Sequence, residues 1–182
     1  MKKIIISVFL LSVLSSCTNK NKVEESSVDQ PTAAVNNFLI WYRDHFDKMI
    51  NIGLVNQDMK DSTEFYSVNF TQTERYLTEL KNSGLVSDKY LNDWRNYFKK
   101  ADEQFKITQQ NEGPPEGFDF DLIMWSQDFD LAEIEKVKTL EALNGDNATV
   151  TVEFPYQYKL QYSLSKQNDK WLIDEIKNIS AN

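Results

Sequence analysis

The last third of the chain carries its cleanest hydrophobic pattern. Val150, Val152 and Phe154 fall on one side of an extended run, and Thr149, Thr151 and Glu153 on the other. The alternation resumes with Tyr158, Leu160, Tyr162 and Leu164 against Gln157, Lys159, Gln161 and Ser163. Lys170-Trp171-Leu172-Ile173-Asp174-Glu175-Ile176 closes the series. A period of two with one apolar side marks antiparallel strands with one dry and one wet face. Turn residues stand where the chain must reverse: Asn144-Gly145-Asp146-Asn147 before Thr149, and Gln167-Asn168-Asp169 before Lys170. Pro155 separates two runs, as proline does at a break or an edge. Ile134 to Leu143 fits strand or helix by pattern; the hairpin turn that follows it favours strand.

Upstream the period becomes helical. Pro31 suits a first turn, and Val35, Phe38, Leu39, Tyr42, Phe46 and Met49 form one stripe ending near Asn51 to Gly53. Trp41 lies off that stripe and His45 at its edge. Asp58 to Phe70 reads as a connector with Phe65, Tyr66 and Phe70 as apolar pins. Thr71-Gln72-Thr73-Glu74 has the spacing of a capping box ahead of Tyr76, Leu77 and Leu80, with Gly84 as the stop. Ser87 is the next cap. Tyr90, Leu91, Trp94, Tyr97, Phe98, Ala101 and Phe105 then define the strongest helix, which Gly113-Pro114-Pro115 should end. Helices first and strands after give an α+β class: N-terminal helices packed on the dry face of a C-terminal sheet of three to four antiparallel strands.

The N-terminus reads as an address rather than as structure. Met1-Lys2-Lys3 precedes an apolar run from Ile4 to Leu14, too short for a spanning helix of about 20 residues. It ends Leu14-Ser15-Ser16-Cys17, which resembles the bacterial lipobox, whose cysteine is lipidated and becomes the first residue of the mature protein. That resemblance implies a signal peptide over 1–16 and a membrane partner held through lipid on Cys17. Several acyl chains give stable anchoring where one gives only marginal binding. Thr18 follows the cysteine in place of the inner-membrane retention Asp, so a Gram-negative source implies the outer membrane. Residues 17–30 are polar, lack aromatics and read as a flexible tether. A single domain fills 31–182.

Charge narrows the partners. The formal net charge is −8, and loss of Lys2 and Lys3 with the leader takes it to −10. Phosphate binding needs a basic footprint, so a nucleic-acid partner is not expected. With one cysteine and one histidine, neither an internal disulfide nor a Cys/His zinc site is available. His45 is the sole histidine for acid–base work near neutral pH. Between Glu116 and Asp130, the carboxylates Asp119, Asp121, Asp128 and Asp130 intersperse with large apolar residues. Carboxylate oxygens suit calcium, but the Asp-x-Asp-x-Asp-Gly core and a Glu at the twelfth place are absent; a pinned loop with rings inside and carboxylates in water is the expected arrangement. No phosphate loop, Gly-x-Ser-x-Gly or His-Glu-x-x-His is present.

The closing strand Lys170 to Ile176 resembles that of NTF2-like, cone-shaped α+β folds. Phe38-Leu39-Ile40-Trp41-Tyr42, the stretch from Asp121 to Gln127-Asp128 and the hairpin at Asn147-Ala148-Thr149-Val150 are similar to the DUF3828 group of bacterial envelope proteins, over roughly 34–178. The resemblance implies a fold and a compartment but no chemistry. The expectation is therefore a lipid-anchored envelope protein, a non-enzymatic module binding a protein partner, a peptide or a small ligand near the membrane, without cofactor, metal or catalytic residues. The alternatives are an NTF2-like hydrolase or isomerase with a site in the cone, or an immunity-type inhibitor of a secreted toxin. Candidate pocket residues are Trp41, His45, Trp94, Tyr158 and Tyr162.

Overall fold

The computed structural model describes residues 30–56 and 64–180; the leader, Cys17, nearly all of the tether and the middle of the connector lie outside them. Three helices come first: α1 (Pro31–Ile50), α2 (Phe70–Asn82) and α3 (Asp88–Ile107). A small ladder, β1 (Val55–Asn56) with β2 (Ser67–Val68), lies between α1 and α2. The sheet follows as β3 (Lys138–Asn144), β4 (Asn147–Glu153), β5 (Lys159–Gln167) and β6 (Lys170–Asn178), antiparallel and paired in sequence order. This is the α+β arrangement that the two periods require.

The turns explain the register. Asn144 pairs with Asn147 around a two-residue loop in which Gly145 takes φ 59°. Asn168 and Asp169 both adopt positive φ between paired Gln167 and Lys170, the geometry that matches the twist of adjoining strands. Inside, Val150, Val152, Leu160 and Tyr162 are wholly inaccessible. The α1 stripe of Val35, Phe38, Leu39 and Tyr42 is sealed to the same degree or within 1% of it. The dry face of the sheet is thus covered by α1 and α3, and the cone is filled. Two-sided burial of this kind supplies most of the fold's stability, at roughly 25 cal/mol per Å² of apolar surface.

Several local expectations change. The N-cap of α2 is Asn69, whose side chain accepts from the Gln72 N–H at 3.1 Å; Thr71 lies inside the helix. Glu74 instead takes both arms of Arg95 on α3, at 2.8 and 2.9 Å. Helix α3 stops at Ile107, before Gly113, and its Ser87 cap holds the Tyr90 N–H as expected. Phe65 and Phe70 are exposed, and Tyr66 with Val68 does the pinning. Residues 131–136 form a 3-10 turn before β3 begins, so the ambiguous segment splits between both of its readings.

Candidate functional site

With the interior filled, concave surface lies on the outside. A cleft of about 720 Å³ runs between the end of α1 and the loop from Pro114 to Phe129. Phe46, Met49, Ile50, Leu54, Phe118 and Phe120 wall it, and Tyr42, Tyr76 and Asp121 lie at its base. A second depression of about 420 Å³ adjoins it through Phe129. Its walls are Phe154, Pro155, Tyr156 and Tyr158, with Asp128, Asp130 and Glu133. Together the two are lined by five carboxylates: Asp119, Asp121, Asp128, Asp130 and Glu133. No Lys or Arg lines either, among the described residues. Glu133 reaches out to Lys136 at 2.9 Å, and the same ammonium feels the charge of Asp130; Asp128 and Asp130 face solvent, and among the described residues neither forms a direct ion pair.

Tyr156 marks the rim. It sits on the 3-10 turn Pro155–Gln157 with φ 62°, and 97% of its surface is exposed. A bulky residue in the left-handed region is held there by its surroundings, and such strain gathers at binding surfaces.

Asp121 is the exception among the loop acids. Its Oδ1 accepts from the Ile123 and Met124 N–H groups at 3.0 and 2.7 Å, and its other oxygen accepts from the Tyr42 hydroxyl. Burial raises its pKa above the ordinary aspartate value, although the Tyr42 and backbone hydrogen bonds oppose the shift. Tyr42 is pushed far up, first by burial and then by the adjacent carboxylate. Both oxygens are engaged in shaping the loop, and no nucleophile or second acid touches them. The pair is built as a structural clasp between α1 and the loop, 79 residues apart.

The five candidate pocket residues do not form one pocket. Trp41 and His45 stack on each other at 4.8 Å on the flank of α1, and the His45 Nδ1 lies 2.8 Å from the Trp41 carbonyl oxygen. Neither lines the cleft or the depression. Tyr162 is sealed in the core, Tyr158 walls the depression, and Trp94 belongs to a row of stacked rings. That row runs Phe120, Trp125, Trp94, Phe98, Phe118, with centroids 5.5 to 6.1 Å apart. Sequence reasoning singled out the loop acids but missed Phe129 and Tyr156 beside them, because the two walls meet only after folding. Among the described residues, no group of three or more His, Cys, Asp or Glu side chains is placed to hold a metal ion. No helix among them is long and apolar enough to cross a membrane.

No family model matches the chain, and no curated protein does. Among solved structures, it is similar to a chain in the crystal structure of the selenomethionine form of the type VI effector–immunity complex Tae3–Tai3 from Ralstonia pickettii. That match has 18% identity and a TM-score of 0.47, covering 84% of this chain and 99% of the other. A crystal structure of the native complex gives 20% identity and a TM-score of 0.44, covering 83% and 96%.

Proposed function

We propose that this chain is a lipid-anchored envelope protein that binds a basic protein, and that it works as an immunity-type inhibitor of a secreted toxin. The observation that carries this reading is the joined cleft and depression: aromatic walls, an exposed Tyr156, and five carboxylates with no Lys or Arg among the described lining residues. Tyrosine anchors with a polar rim are the composition of protein interfaces. Unbalanced negative charge favours a basic partner and rejects an acidic one. The filled cone leaves no room for a substrate in the interior, and the one buried loop carboxylate is fully occupied by Tyr42 and two backbone N–H groups. The effector–immunity pairing named for the compared structures belongs to those proteins; the present reading stands on this chain's surface. Anchoring at Cys17 would place the inhibitor where an incoming toxin first meets the envelope.

The test is a pull-down from the envelope fraction with the lipidated protein, beside a variant carrying Asp119→Lys, Asp128→Lys and Asp130→Lys. The wild type should recover a basic secreted protein whose toxicity it blocks, and the charge-reversed variant should lose it. Recovery of the same proteins by both forms sinks the reading. Cys17→Ala should release the protein to the soluble fraction while leaving partner binding intact.

A further inference from the structure

A separate small pocket lies away from the acidic cleft, between α3, β6 and the loop at Trp125. Its volume is about 230 Å³, room for one long side chain rather than for a drug-sized ligand. Trp94, Tyr97 and Trp125 wall it. Trp94 packs 5.8 Å from Trp125 and 5.1 Å from Tyr97, which fixes the three rings as one surface. Trp125 takes φ 53°, a conformation that a bulky residue adopts only when its neighbours impose it, and in doing so it brings its ring onto Trp94.

The mouth is acidic. Asp93, Asp174 and Glu175 border it. Two of these already have cations: Asp93 takes Lys89 at 2.7 Å and Glu175 takes Lys177 at 2.8 Å. Among the described residues Asp174 forms no direct side-chain ion pair, although the Lys89 charge acts on it and Lys89 donates to its backbone carbonyl at 3.4 Å. One of its carboxylate oxygens is buried without a hydrogen-bond partner, which is costly. The sheet puts it there by a specific device. Ser163 pairs with Glu175 and Leu164 pairs with Ile173, so Asp174 is the extra residue of a β-bulge. Bulges re-aim a side chain, and here the bulged residue is one that lines the pocket. The indole N–H of Trp125 is also buried without a partner.

We propose that this pocket takes an arginine side chain presented by a protein partner, the guanidinium lying against the Trp94–Tyr97–Trp125 wall and paired with Asp174. A cation over an aromatic face is attracted by the ring quadrupole, most strongly for Trp. Guanidinium suits the site better than ammonium. It is planar, weakly hydrated and stacks, and its fork of N–H donors matches a carboxylate. The assignment rests on the reading that the partner is a protein with basic residues, and gives it a second point of attachment.

Tryptophan fluorescence of the full lipidated chain in detergent micelles, titrated with N-acetyl-arginine amide, tests it. The expected result is a saturable change with a dissociation constant on the order of millimolar. Citrulline amide, the neutral isostere, should bind about tenfold more weakly, and lysine amide should bind more weakly than arginine. Asp174→Asn should weaken arginine binding about tenfold while the chain stays folded, as a cooperative thermal transition shows. Asp169→Asn, fully exposed on the last turn, should bind as the wild type. Equal binding of citrulline and arginine overturns the proposal, and that arm needs no variant to fold. So does an Asp174→Asn form that binds arginine like the wild type. Free L-arginine binding as tightly as the amide overturns the protein-borne source. Arginine amide binding with no protein recovered from the envelope leaves the pocket standing and removes the toxin-binding reading. A recovered partner that arginine amide fails to displace or weaken, with no fluorescence change, does the reverse.

Discussion

Two buried or partly buried aspartates behave in opposite ways, and the difference is in what surrounds them. Asp121 has its pKa raised by burial, which the Tyr42 and backbone hydrogen bonds only partly offset. Asp102, 7% exposed, is pushed up by burial but carried below its ordinary value by hydrogen bonds from Lys106 and the Val68 N–H and by the Lys106 charge. A raised carboxylate gives stability below the ordinary value and loses it as pH rises through the folded value; a lowered one does the opposite. The stability difference between wild type and Asp121→Asn should therefore fall as pH climbs from about 3.9. The difference for Asp102→Asn should be present above that pH and vanish as acid protonates the folded carboxylate. Thermal unfolding across pH reads both; parallel curves for the two variants contradict the assignment. Tyr42→Phe, which strips a donor from a desolvated oxygen, should cost about 1–3 kcal/mol in urea unfolding. Neither aspartate was legible in the sequence. Their distant partners Tyr42 and Val68 stand 79 and 34 residues away; the local contacts, Lys106 for Asp102 and the Ile123 and Met124 N–H groups for Asp121, are ones a solvated acid makes as readily.

At the scale of elements, legibility followed the strength of the local code. Strands β4, β5 and β6 were readable because inward residues repeat every second position and the turns carry Gly145 or Asn168-Asp169 at positive φ; β3, exposed along most of its length, was legible only through the turn that follows it. The long stripes of α1 and α3 were readable for the same reason at helical period. The ladder of β1 and β2 was not, since two residues per strand hold no period. The start of α2 shows how a motif misleads. Thr71 and Glu74 satisfy the spacing of a capping box, yet Asn69 makes the cap, because Phe70 already belongs to the helix and Arg95 draws Glu74 toward α3. Asn69→Ala should cost about 1 kcal/mol, and Thr71→Ala only a few tenths. Urea denaturation monitored by circular dichroism separates them, and a larger loss for Thr71→Ala would restore the capping box. Gly117 is the tightest of the loop glycines. At φ 80°, an added Cβ would sit 2.9 Å from the Tyr97 hydroxyl, which donates to the Gly117 carbonyl at 2.6 Å. Gly117→Ala should loosen Tyr97, and with it the aromatic wall of the small pocket, before it affects the sheet.

For the whole molecule, charge and placement act together. The chain carries 28 acidic against 20 basic residues. Where acids and bases meet on the helices they cancel, as in Lys48 with Glu79, Lys89 with Asp93 and Arg95 with Glu74. On the joined cleft and depression they do not, so the excess has a location. The total charge was legible from composition, but its location was not, since it depends on the loop from Asp119 to Asp130 folding against Phe154 to Tyr158. A localised field speeds encounter with an opposite charge more than it tightens the final complex, and it decays over about 8 Å at physiological salt. Association with a basic partner should therefore slow about tenfold or more between low and physiological ionic strength, while dissociation changes little. Asp128→Lys with Asp130→Lys should remove most of that salt dependence, because these two carboxylates are exposed and, among the described residues, neither forms a direct ion pair. Tyr156→Ala should act on the other rate: it removes a contact made only after docking, so dissociation should quicken while association holds. Surface plasmon resonance at two salt concentrations separates the two effects. If charge reversal and Tyr156→Ala altered the same rate constant, the acidic field and the aromatic rim would not be acting as separate parts of one docking surface.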